Sequence, residues 1–192
     1  MINVSIAGGT GYTAGELLRI LLQHPEVNIE SVISTTSAGK RVDSVHRDLI
    51  GETNLTYSDT FNNPDVIFLC LGHGLSREFL EKNELPTSCK IIDLGNDFRN
   101  HPEFNNRKFV FGLCEQNRED IRKADYVANP GCFATTIMLA LLPLASKNLI
   151  NDEVHVHAIT GSTGAGKRPG ETTHFSYRDN NISVYKPFTH QH

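Results

Sequence analysis

A cysteine set directly behind a turn is the most chemically suggestive residue in this sequence. Cys132 follows Asn129-Pro130-Gly131, a turn signal, and precedes the apolar stretch Thr135 to Ser146, which reads as a helix. A thiol at a helix start faces the positive end of the helix dipole and unpaired N–H groups. These favour the thiolate and supply an oxyanion site in one place. The competing reading is a small residue packed at a helix start. Cys70 lies inside the apolar run Val66-Ile67-Phe68-Leu69-Cys70-Leu71 and reads as a buried, inert thiol, and Cys89 and Cys114 have no chemical context. The four cysteines stand 19, 25 and 18 residues apart with no CxxC pair, which argues against a zinc knot or a redox couple.

A second chemical signal opens the chain. Gly8-Gly9-Thr10-Gly11-Tyr12-Thr13-Ala14-Gly15 contains the frame Gly9-x-Gly11-x-x-Ala14, which fits the dinucleotide fingerprint G-x-G-x-x-G/A. Small residues let the backbone turn tightly and approach a pyrophosphate, whose charge then meets N–H groups at a helix start. The plain alternative is a tight strand-to-helix turn without a ligand. At the end of the second strand an NAD-preferring site would place a carboxylate for the ribose 2′-hydroxyl. This sequence has Ser34-Thr35-Thr36-Ser37-Ala38-Gly39-Lys40 there. The hydroxyls of Ser34, Thr35 and Thr36 with the charge of Lys40 suit a 2′-phosphate, which an acid would repel, so the residues favour NADP over NAD.

The elements that must position these residues alternate. Asn3 to Ala7 reads as a short buried strand, and from Thr13 the spacing of Leu17, Leu18, Leu21 and Leu22 turns helical until His24-Pro25. Ile29 to Ser34, Val66 to Leu71 and Lys90 to Leu94 read as further strands, with a helix at Ser76 to Lys82. Continuous apolar strands separated by helices indicate an α/β fold: a Rossmann-type, doubly wound parallel sheet covered on both faces. Beyond Ala128 the pattern changes. An alternating strand is expected at Val154-His155-Val156-His157-Ala158-Ile159, and residues 161–192 are glycine-rich and polar with no closing helix or strand. The expected division is a cofactor domain over 1–130 and an incomplete α+β catalytic domain over 131–192.

Composition narrows the function classes. With 18 Lys+Arg against 22 Asp+Glu the formal charge is −4, and no basic cluster is present, which argues against a nucleic-acid binder. The start lacks a basic leader, and the run Ile137 to Ala145 is far short of the roughly 20 residues that span a bilayer. A cytoplasmic protein without membrane contact is expected. Of the nine histidines, His155 and His157 would share one strand face, while His190-Gln191-His192 is more pointed, beside Tyr185-Lys186-Pro187-Phe188. No third ligand is indicated for a metal.

With these residues in view, the chain resembles the N-acetyl-γ-glutamyl-phosphate reductases of arginine biosynthesis, within the aspartate-semialdehyde dehydrogenase superfamily. The likeness rests on the opening Gly8 to Leu17, on Phe68 to Gly74, on Asp93-Leu94-Gly95-Asn96-Asp97-Phe98-Arg99, on Asn129-Pro130-Gly131-Cys132, on Gly161-Ser162-Thr163-Gly164-Ala165-Gly166-Lys167 and on Pro187 to His192. It implies NADPH-dependent reduction of an acyl phosphate to an aldehyde, with Cys132 as the nucleophile and His190 as the acid/base. It also implies that Gly72, His73, Gly74, Ser162, Gly164 and Ala165 lie beside the cofactor, and that Arg99, Asn129, Gly161, Lys167 and His192 contact the small-molecule acyl phosphate. Members are usually homo-oligomers and continue past the histidine pair, so the 192 residues resemble an N-terminal portion, expected to be poorly active or unstable by itself. Aspartate-semialdehyde dehydrogenase, with the same chemistry on a shorter substrate, and a non-catalytic NADP-binding module are the rival readings.

Overall fold

The structure is a computed structural model and describes residues 1–168 and 170–185. They form two compact units that divide between Pro130 and Gly131. In the first, β1 (Ile2–Ala7), α1 (Tyr12–Leu22), β2 (Val27–Ile33), β3 (Tyr57–Ser58), β4 (Val66–Leu69), α2 (Ser76–Lys82) and β5 (Lys90–Asp93) follow in order. They are succeeded by a small hairpin of β6 (Glu103–Phe104) and β7 (Arg107–Lys108), then β8 (Val110–Phe111), α3 (Cys114–Lys123) and β9 (Tyr126–Ala128). The second unit holds α4 (Cys132–Ala145) and the single-turn α5 (Phe175–Arg178).

Seven strands make one sheet in the order β3-β2-β1-β4-β5-β9-β8, with every pairing parallel. The order reverses between β1 and β4, the crevice where doubly wound sheets take their ligands. Both faces are covered, as a parallel sheet requires. One face buries Val4, Ile6 and Val32 under Ala14, Leu18 and Leu21 of α1, with Val42, Leu49 and Tyr57. The other buries Ile67, Leu69 and Ile91 with Leu80, Phe98, Phe104 and Phe109. Phe98 and Phe109 stack at 3.9 Å between ring centroids. On this second face the hydroxyls of Ser5 and Ser31 hydrogen-bond each other at 2.8 Å, so the polar pair inside the sheet is satisfied.

Several element boundaries differ from the sequence reading, each for a local reason. β2 begins at Val27 because Val27 pairs with Ile2, below the stretch whose apolar pattern is visible. β4 ends at Leu69: the Cys70 N–H still reaches the Ala7 carbonyl at 2.8 Å, after which the chain leaves the sheet toward α2. α4 begins at Cys132 rather than Thr135, because the Gly131 carbonyl accepts from the Thr135 N–H at 2.8 Å and so closes a first turn over Cys132 to Thr135. The helix also carries Pro143, which cannot donate to the Leu139 carbonyl and falls within its last turn.

Two expectations are corrected. The segment Val154 to Ile159 is not a strand, and among the described residues no neighbour offers it a ladder, so its alternation is not converted into pairing. His155 and His157 are exposed rather than set on a sheet face. Within the polar tail Ser162–Ala165 and Glu171–Thr173 form 3₁₀ turns ahead of α5, and its end at 186–192, where no closing helix or strand is expected, lies outside the described residues. Among the described residues no helix is long and apolar enough to cross a membrane.

Leu18 is fully buried between α1 and the sheet. Leu18→Ala is expected to lower unfolding stability by about 2–5 kcal/mol, read from urea denaturation with an unchanged slope.

Candidate functional site

The glycine turn occupies the crevice between the carboxyl ends of β1 and β4. Gly8 has φ +81°, and a Cβ there would stand 2.5 Å from the Cys70 carbonyl oxygen, so both the conformation and the close approach demand glycine. Gly9 is equally confined, since a Cβ would meet Val32 Cγ1 at 2.3 Å. Both N–H groups donate to the Ile33 carbonyl, at 3.2 and 2.9 Å, which ties the turn to the end of β2. Gly11 is the extended N-cap of α1, with its N–H on the Gly8 carbonyl at 3.2 Å. Tyr12 and Thr13, the first residues of α1, are exposed, Thr10 and Gly11 are half-buried, and Ala14 packs into the core. A small-residue cradle with a helix N-terminus behind it fits a pyrophosphate.

The loop after β2 stands on the same edge. Ser34 is buried, its N–H donating to the Ser58 carbonyl at 2.8 Å and its hydroxyl 3.4 Å from that of Thr36. Thr35, Thr36 and Lys40 are exposed. No carboxylate occupies Ser34 to Lys40, so the donors there suit a 2′-phosphate.

Gly72, His73 and Gly74 are exposed beyond β4, on the other side of the switch point. Their loop is fixed by a residue that sequence reasoning passed over. Asp97 accepts from the Gly74 N–H at 2.9 Å and the Arg77 N–H at 3.2 Å, and so caps α2 from twenty residues away, where the local N-cap, Leu75, has no side chain able to do so. Asp93, fully buried at the end of β5, accepts from the Ser76 hydroxyl at 2.5 Å and the Gly95 N–H at 3.0 Å. Burial pushes its carboxyl above the usual range, against the lowering effect of those two bonds. The only sequence signal for these roles was the pair of acids within Asp93 to Arg99.

Arg99 holds backbone. Its Nε donates to the Asn129 carbonyl at 2.8 Å and one terminal nitrogen to the Leu94 carbonyl at 3.0 Å. Asn129 is also tied by its N–H to the Asp93 carbonyl at 2.8 Å. The last residues of the first unit before Cys132 are therefore anchored to the end of β5.

In the second unit Cys132 is the first residue of α4 and is exposed, behind the extended N-cap Gly131. Its carbonyl accepts from the Thr136 hydroxyl at 2.8 Å. Gly161 precedes the 3₁₀ turn Ser162–Ala165, and the Gly164 N–H closes onto the Gly161 carbonyl at 3.1 Å, while Lys167 is exposed. His190 and His192 lie outside the described residues. Cys70 is no nucleophile: burial, helped by the charge of Asp93, pushes its thiol up to about 12, and burial takes Cys89 to about 11.

Iodoacetamide at pH 8 on the folded chain should therefore alkylate the exposed Cys114 and Cys132 and spare Cys70 and Cys89 until denaturant is added, as peptide mass mapping would read. Equal labelling of Cys70, which is half-buried, would contradict its raised thiol.

The chain matches two protein-family models, one described as "Semialdehyde dehydrogenase, NAD binding domain" over residues 3–124, the other as "Semialdehyde dehydrogenase, dimerisation domain" over residues 132–192. Curated relatives named N-acetyl-gamma-glutamyl-phosphate reductase are 57% identical in Flavobacterium johnsoniae, 54% in Christiangramia forsetii and 58% in Azobacteroides pseudotrichonymphae, each alignment covering 100% of this chain. The chain spans 60% of the length of these relatives. Among solved structures, aspartate semialdehyde dehydrogenase with NADP from Candida albicans is similar at TM-score 0.60 and 15% identity, over 78% of this chain and 48% of that one. Aspartate semialdehyde dehydrogenase II from Vibrio cholerae is similar at TM-score 0.57 and 21% identity, over 76% and 47%. At these identities the structural likeness bears on the fold alone.

Proposed function

This chain belongs to the semialdehyde dehydrogenase family, and on that premise we propose that it acts as an NADPH-dependent N-acetyl-γ-glutamyl-phosphate reductase. The observation that carries the proposal is the joint presence of a glycine cradle at the β1/β4 switch point and a helix-leading, exposed cysteine in the Asn-Pro-Gly-Cys turn. Identities of 54–58% to proteins of that name favour the longer N-acylated substrate over aspartate semialdehyde.

The residues divide the work. The turn Gly8 to Ala14 would hold the pyrophosphate of NADP, Ser34, Thr35, Thr36 and Lys40 its 2′-phosphate, and Gly72 to Gly74 with Ser162, Gly164 and Ala165 the part nearer the nicotinamide. The Cys132 thiolate attacks the acyl carbon, the carbon–oxygen bond to phosphate breaks, and a thioester remains on sulfur. Reduced NADP, when bound, supplies the hydride for the reduction that follows. Cys132 then departs as thiolate when the carbon–sulfur bond of the reduced adduct breaks and the aldehyde forms. His190 is the proposed acid/base, and Arg99, Asn129, Gly161, Lys167 and His192 are proposed to hold the carboxylate and phosphate of the substrate. The proposed assembly is a homo-oligomer, supported by the match of residues 132–192 to a dimerisation domain.

The reverse reaction tests this. The chain extended by the C-terminal portion that its relatives carry should reduce NADP with N-acetyl-glutamate semialdehyde and phosphate, and Cys132→Ser in that protein should lower turnover by about a thousandfold or more. Preference for aspartate semialdehyde would move the chain to the rival enzyme, and NADP binding without thiol-dependent turnover would leave a binding module.

A further inference from the structure

The glycine turn is held from the core side by a histidine that the proposed chemistry does not use. His46 lies between the 3₁₀ turns Val42–Ser44 and Arg47–Leu49, is 7% exposed, and places Nε2 2.8 Å from the Gly9 carbonyl oxygen, 37 residues back along the chain. A carbonyl can only accept, so Nε2 is the donor. The hydroxyl of the buried Tyr57 donates to the same oxygen at 3.5 Å.

The ring also accounts for a glycine that the dinucleotide fingerprint leaves over. A Cβ on Gly15 would stand 2.7 Å from His46 Nδ1, so Gly15 is small for the sake of the imidazole. In a trans peptide the carbonyl and the following N–H point in opposite directions. With the Gly9 carbonyl drawn toward His46 and Tyr57, the Thr10 N–H is turned away from them. Tyr57 extends the same grip to the neighbouring loop, its carbonyl accepting from the Gly39 N–H and its N–H donating to the Lys40 carbonyl, both at 2.8 Å.

We infer that His46 is a positioning residue for dinucleotide binding: through the Gly9 carbonyl it fixes the Gly9–Thr10 peptide in the orientation that meets the pyrophosphate. This rests on the reading of the turn as an NADP site. His46 acts only through that carbonyl.

The test compares NADP with adenosine 2′-monophosphate, which keeps the 2′-phosphate and lacks the pyrophosphate, by calorimetric titration of the full chain. His46→Leu is expected to raise the Kd for NADP about tenfold, the scale of one well-aligned hydrogen bond to a charged group, and to leave that for adenosine 2′-monophosphate within about twofold. His46→Gln, whose amide N–H can reach the same carbonyl, should recover most of the loss. Should His46→Leu fail to fold, Tyr57→Phe removes the second donor while keeping the ring and should weaken NADP alone, by about two- to threefold. The inference is overturned if the folded leucine variant binds NADP as wild type does, if both ligands weaken together, if glutamine recovers nothing, or if Tyr57→Phe, standing in for it, leaves NADP unchanged. Wild-type chain that binds no NADP overturns the cofactor reading and the inference with it.

Discussion

The close approach of two backbones at the switch point is the constraint on which the first unit depends. β1 and β4 are adjacent parallel strands, and their outgoing chains must part within a few residues. Gly8 makes this possible, because its positive φ turns the chain aside and its missing Cβ leaves room for the Cys70 carbonyl. One strand feeds the glycine turn and α1, the other the Gly72 to Gly74 loop and α2. Neither loop could lie at the carboxyl edge if a side chain separated them.

Each loop around that crevice is then held by something distant in sequence. The glycine turn is tied to Ile33 and His46, the loop after β2 to Tyr57 and Ser58, the Gly74 turn to Asp97, and Asn129 to Arg99 and Asp93. Preorganisation of this kind matters where a ligand is recognised mainly by backbone N–H groups, since their direction is set by the peptide planes alone. The segment Asp93 to Arg99 makes much of this frame. Its two acids take Ser76 and the first turn of α2, Phe98 stacks on Phe109, and Arg99 holds the approach to Cys132 along the chain.

Elements with strong local signals were legible from sequence. The strand, glycine turn and helix at the start, the helix at Ser76 to Lys82 and the apolar strands β4 and β5 are short-range patterns, and local periodicity suffices for them. The two-residue strands β3 and β8 and the polar helix α3 were not legible, because their state is set by the neighbour that pairs with or covers them. At Val154 to Ile159 the opposite happened: alternation was present and pairing was not. The roles of Asp97, His46 and Tyr57 were invisible for a related reason, as each acts on a backbone group 20 to 48 residues away.

By itself the sequence determined the chemistry on offer: a cysteine that can be a nucleophile, a turn small enough for a pyrophosphate, and hydroxyls with a lysine where an acid would have selected NAD. Those properties belong to residue types and short spacings, and no tertiary contact is needed to state them. Only the tertiary structure decided which groups are held still. It turned Arg99 onto the Asn129 and Leu94 carbonyls, made Asp97 a helix cap, and assigned Gly15 to the imidazole of His46. Such assignments depend on which distant backbone atom comes within 3 Å of a side chain, and strand order, here reversed between β1 and β4, fixes that distance.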